Sequence, residues 1–97
     1  MLRNIIGDNI RCLRTRLGWS QEILGSKCGI SRDYIGRIER GEVNIGTDHL
    51  DRISHTLELK VHLLLKEGYC FSLIQSQRGE EANVIKEITI PPLESSD

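Results

Sequence analysis

The sequence predicts a mainly α fold: five helices, followed by a C-terminal extension of different character. Three observations carry this expectation. Over the first two-thirds of the chain, apolar residues recur every three or four positions, the period of a helix with one buried side. Small polar cap residues and glycines punctuate that pattern at short intervals. From residue 69 onward the pattern gives way to β-branched and aromatic runs. The chain is therefore read as residues 1–68, one helical domain, and residues 69–97, an extension with a disordered end.

Helix 1 is expected over residues 4–17, where Ile6, Ile10, Leu13 and Leu17 form one apolar stripe and Arg11, Arg14 and Arg16 lie off it. Gly18 ends it in the left-handed conformation that glycine tolerates. Ser20 is a good N-cap for helix 2, which buries Leu24 and Cys28 before Gly29 makes the turn. Ser31 caps helix 3, residues 32–40, with Ile35 and Ile38 inward and Gly41 as the stop. After a loop over residues 42–46, Thr47 is the expected cap of helix 4, whose apolar side is Leu50, Ile53 and Leu57. Helix 5 begins near Lys60, carries Val61, Leu64 and Leu65, and ends near Gly68. Beyond it, "YCFSLIQSQ" and "NVIKEITIPP", separated by "SQRGEEAN", read as a β-hairpin. The alternative for the first of these segments is a further helix through Ser72 to Gln77. Pro91 and Pro92 end any regular structure.

Ninety-seven residues suffice for one domain, and oligomerisation is a common support at this size. No apolar run approaches the roughly 18 residues that cross a membrane, and the N-terminus lacks a secretory leader. These features point to a cytoplasmic protein without membrane contact. The net charge is −1, but residues 1–41 balance at +4 and residues 42–97 at −5. Cys12, Cys28 and Cys70 are odd in number and widely spaced, so they read as inert thiols and not as a zinc site. His49, His55 and His62 lack partners at ligand spacing; neither a metal nor a cofactor is implied. No Ser/His/Asp or Cys/His arrangement, phosphate-cradling loop or paired carboxylates suggests an enzyme.

The most specific signal is a twenty-residue unit starting at Gln21. Two short helices joined by a glycine turn need a small residue where they come closest, which is Gly25, and a positive-φ residue at the turn, which is Gly29. They also need apolar residues facing their core, and Leu24, Cys28, Ile30, Ile35 and Ile38 occupy all five such positions. With "LRTRLGWSQEILGSKCGISRDYIGRIERG" and the capped helix after it, the segment from Ile6 to Leu65 resembles the Cro/C1-type (Xre family) helix-turn-helix domain. That is the five-helix fold of phage repressors. "DYIGRIERGEVNI" is most similar to the controller proteins of restriction-modification systems. One departure is Gly25, where the family usually has Ala; glycine inside a helix costs about 1 kcal/mol and softens helix 2.

The resemblance implies a transcriptional regulator that binds double-stranded DNA as a homodimer on a (pseudo)palindromic operator. Helix 3 would lie in the major groove. Arg32, Asp33, Tyr34 and Arg37 become the expected base contacts, with Gly36 leaving room for close approach. Gln21, Ser31, Arg40, Asn44 and the helix 1 arginines become phosphate contacts. Trp19 reads either as a plug under helix 2 or as an indole donor to phosphate. Arg14 and Glu39 form the pair that ties helix 1 to the end of helix 3. Val61, Leu64 and Leu65 would face the second copy. A rival reading is an antitoxin or interaction module whose extension binds a regulatory protein partner.

Overall fold

The computed structural model of the protein describes residues 1–78. Six helices follow one another: α1 Leu2–Arg16, α2 Gln21–Cys28, α3 Arg32–Glu39, α4 Thr47–Thr56, α5 Val61–Leu64 and α6 Tyr69–Arg78. Among the described residues there is no strand. One core holds Ile6, Ile10 and Leu13 of α1, Leu24 and Cys28 of α2, Ile35 and Ile38 of α3, and Ile53, Leu57 and Leu64 from the later helices.

Two of the three expected caps form. The Ser20 hydroxyl oxygen accepts from the Ile23 amide at 3.0 Å, and that of Ser31 from the Tyr34 amide at 3.1 Å. Each satisfies an amide with no partner inside its helix. The third does not: Gly46 is the cap residue of α4, and Thr47 is already inside the helix without a side-chain cap bond. Between α2 and α3 the chain reverses at Gly29, with φ 74°. The two helices are so close here that a Cβ added to Gly25 would fall on the Ile30 carbonyl oxygen. Glycine is therefore what permits the approach, whatever it costs in helix propensity.

α1 is the spine of the molecule. A Cβ at Gly7 would strike the carbonyl oxygens of Ile38 and Glu39, so α1 lies directly on the last turn of α3. Two residues on, the buried Asn9 side chain donates to the carbonyls of Leu64 at 2.9 Å and Lys66 at 2.8 Å and accepts from the Cys70 amide at 3.2 Å. One side chain thus satisfies the backbone where α5 ends and α6 begins, which is how a buried amide avoids a desolvation penalty.

The extension departs from expectation. Residues 69–78 form α6, the helical alternative for this segment and not the first strand of a hairpin. Tyr69, Cys70 and Leu73 are buried in the common core, while Phe71 is 62% exposed. A strand would have put Tyr69, Phe71 and Leu73 on one side; burial at spacings of one and four is helical. Tyr69, Cys70 and Leu73 thus pack in the same core as Leu64 of α5. The second expected strand, the proline pair and the tail lie outside the described residues.

The cysteines depart too. Cys12 and Cys70 are joined in a disulfide with Cα atoms 6.0 Å apart, stapling α6 to α1 across 58 positions of sequence. Closing a loop of that length removes about 4 kcal/mol of unfolded-chain entropy. Cys28 is the free cysteine, buried, with its thiol pushed above the usual range by desolvation.

Candidate nucleic-acid interface

α3 is an eight-residue helix with two faces. Ile35, Ile38 and Glu39 are buried, while Arg32, Asp33 and Arg37 are exposed. Those three therefore stand where the sequence placed them, on the outward side of the second helix of the pair. Tyr34 is half-buried, with its ring 4.9 Å from that of His49 on α4. Ser31 is exposed, but its hydroxyl is engaged as the helix cap. Gly36 turns out to be buried: a Cβ there would lie 3.2 Å from Arg40 Nη1 and 3.5 Å from Gln21 Oε1. Its missing side chain makes space for the protein's own groups.

Behind α3 a polar network fixes the helix pair. Arg14 Nε donates to Glu39 Oε2 at 2.7 Å and Nη2 to Oε1 at 3.0 Å, a two-pronged ion pair. Arg14 Nη1 also donates to the Trp19 carbonyl at 2.7 Å, and Gln21 Nε2 donates to Glu39 Oε1 at 3.0 Å. Glu39 is 6% exposed, so its charge is compensated by these donors and by little water. The expected phosphate ligand Gln21 has its amide NH₂ turned inward to this network. Trp19 is half-buried against the core, and the Lys27 ammonium stands 4.9 Å above its ring.

Around the exposed face, cations are held by local partners. Arg40 Nε donates to Glu42 Oε2 at 2.7 Å, and Arg37 lies 4.0 Å from the same carboxylate. The hydrogen bond from Arg40 pulls the Glu42 carboxyl below the usual glutamate range and raises the Arg40 guanidinium in turn. Both groups are solvent-exposed, so the pair is screened and adds little to the fold. Asn44 Oδ1 accepts from Arg3 Nη1 at 3.4 Å, which brings the start of α1 beside the loop after α3. Of the other helix 1 arginines, Arg14 is in the Glu39 network, and Arg11 and Arg16 line a groove against Ile74 of α6.

Three participants were not singled out from the sequence. Glu42 could have been found, since it lies two positions beyond Arg40. Arg3 and Asn44 are 41 positions apart, and nothing local couples His49 to Tyr34. At α5, Val61 and Leu65 are half-buried, whereas Leu64 is fully buried in its own core and has no surface to offer a partner. Phe71 is the large apolar group exposed on α6.

Among the described residues no cluster of His, Cys, Asp or Glu could hold a metal ion, and no helix is long and apolar enough to cross a membrane.

The chain is similar to known proteins in sequence and fold. A hypothetical transcription factor of Neisseria meningitidis is 34% identical over 64 residues, covering 66% of this chain and 60% of that relative. The control protein C.BamHI of Bacillus amyloliquefaciens is 35% identical over 65 residues, covering 66% of this chain and 80% of its own. The crystal structure of the transcription factor NHTF from Neisseria superposes with a TM-score of 0.66 at 33% identity, over 69% of this chain and 77% of that one. The helix-turn-helix family pattern matches residues 10–64, from the middle of α1 to the end of α5. With that match spanning more than half of its length, the chain belongs to the Cro/C1-type (Xre) helix-turn-helix family of transcriptional regulators.

Proposed function

We propose that the protein is a sequence-specific DNA-binding transcriptional regulator that acts as a homodimer on a (pseudo)palindromic operator. The observation that carries this reading is the outward face of α3. Arg32, Asp33 and Arg37 are exposed together on a helix whose other side is locked by Ile35, Ile38 and the Arg14–Glu39 pair. In this reading α3 enters the major groove. Arg32 and Arg37 each pair with guanine O6 and N7, Asp33 accepts from a cytosine amine or orients Arg32, and Tyr34 packs on a thymine methyl.

Arg40, Asn44, Arg3, Ser31 and the N-terminus of α2 at Gln21 would then lie along the phosphates, with Trp19 supporting them from below. Arg40 exchanges its Glu42 partner for a phosphate oxygen on binding. Twofold pairing through Val61, Leu65 and Phe71 would set two copies of α3 about 34 Å apart, one turn of the duplex.

The test is selection of a binding site from random duplexes, followed by Arg32→Ala and Arg37→Ala. Each substitution should weaken binding to the selected site by about 1–3 kcal/mol, up to roughly a hundredfold. Melting temperatures should stay within a few degrees, because both side chains are exposed. Binding should also fall steeply with salt as counterions are released. Unchanged affinity in both variants would count against α3 as the reading helix.

A further inference from the structure

We infer that Cys12 and Cys70 form a reversible thiol–disulfide site, opened by a small thiol reductant of the glutathione type, which sets how firmly α6 is held on α1. Three features of the molecule argue for it. The bridge joins two helices and is their covalent tie, while Cys28 is buried away from it. The two bridged residues differ in access: Cys70 is 1% exposed, whereas Cys12 is half-buried and lines an open groove of about 530 Å³. That groove is walled by Asp8, Arg11, Thr15, Arg16 and Ile74, so two arginines and one aspartate line it beside Cys12. Two arginines against one aspartate give the groove a positive balance that attracts an anionic thiol such as glutathione.

The chemistry follows from that asymmetry. A thiolate entering the groove attacks the Cys12 sulfur, forms a mixed disulfide with it and expels the Cys70 thiolate, which takes a proton from water. A second thiolate attacks the outer sulfur of the mixed disulfide, releasing the oxidised reductant and the Cys12 thiolate, which is protonated in turn. Overall, two thiols and one bridge become one small disulfide and two cysteine thiols. The reverse reaction uses the oxidised small disulfide as the oxidant.

Reduction leaves α6 with its non-covalent anchors. Leu73 and Tyr69 remain in the core, and Asn9 still accepts from the Cys70 amide. The reduced form is therefore loosened and not unfolded. The loosened element carries Phe71, so the state of the bridge also bears on any partner that covers it. This last step rests on the dimer proposed above; the bridge itself does not.

The experiment uses the purified full chain equilibrated in glutathione buffers of graded ratio, quenched in acid, denatured and alkylated. At the oxidising end one cysteine should be alkylated, Cys28, with Cys12 and Cys70 recovered as one linked peptide. At the reducing end all three should be alkylated, with a reversible transition between. On reduction the melting temperature should fall by about 10 °C or more, and proteolysis within residues 69–78 should accelerate at least tenfold. Cys28→Ser should keep the transition and Cys12→Ser should lose it. Should Cys12→Ser not fold, the wild-type comparison alone decides. The idea is overturned if three thiols are alkylated after oxidation, if Cys28 enters the bridge, or if melting and proteolysis are the same in both states. None of these readouts involves DNA, so a failure here is distinguishable from a failure of the regulator reading.

Discussion

Glu42 stands between two cations that the DNA reading needs, 2.7 Å from Arg40 and 4.0 Å from Arg37. Its carboxyl is held below the usual range by the Arg40 hydrogen bond, so it stays charged at neutral pH. The small contribution of this pair to the fold is present above the ordinary glutamate pKa. It is lost only as pH falls through the lower folded value. A carboxylate at this place repels the phosphates that Arg40 would meet. Glu42→Gln should therefore tighten operator binding at low salt, on the order of threefold to tenfold, with the gain shrinking as salt rises. Fluorescence anisotropy titrations at two salt concentrations check this, and weaker binding by the variant would mean that Glu42 serves to hold Arg40 in place. At the same scale, Gln21 shows the limit of the sequence. Its position was legible from the spacing of the helix pair, but the inward turn of its amide depends on Glu39, 18 positions away.

At the scale of elements, the helix pair was legible because its geometry demands particular residues at particular offsets. Ser20, Ser31 and Gly29 each satisfy a local backbone need, and each does in the structure what its type suggests. Gly25 is more instructive. Helix propensity alone favours alanine by about 1 kcal/mol, yet an alanine Cβ would fall on the Ile30 carbonyl oxygen. Backbone yields less easily than a side-chain tip, so steric cost should win. Gly25→Ala is expected to lower stability by about 1–3 kcal/mol, measurable by urea unfolding; a gain in stability would show that α2 and α3 can separate freely. For α6 the sequence leaves strand and helix open, because "YCFSLIQSQ" favours a strand locally, while burial of Tyr69, Cys70 and Leu73 on α1 selects the helix. Tertiary contacts decided what local preference did not.

For the molecule as a whole, the charge division along the chain matches its proposed use, with the basic half bearing α3 and the acidic half bearing α5 and α6. Phe71 is the exposed aromatic of that second half. If it sits in the twofold contact, Phe71→Glu should convert the dimer to a monomer by analytical ultracentrifugation and weaken operator binding at least tenfold. Its melting temperature should change only through loss of association. A dimer that survives the substitution would place the contact elsewhere. The covalent tie between Cys12 and Cys70 was invisible to sequence reasoning, since a separation of 58 positions leaves no spacing signature. Folding alone brings the two sulfurs together.

The close seat of Gly7 on the Ile38 and Glu39 carbonyls, with Asn9 gripping the junction of α5 and α6 two residues later, has a mechanical consequence. Both loads hang from less than one turn of the same rod. Any tug that a companion molecule exerts on the C-terminal helices is delivered, with almost no slack between, to the tail of the helix that faces outward.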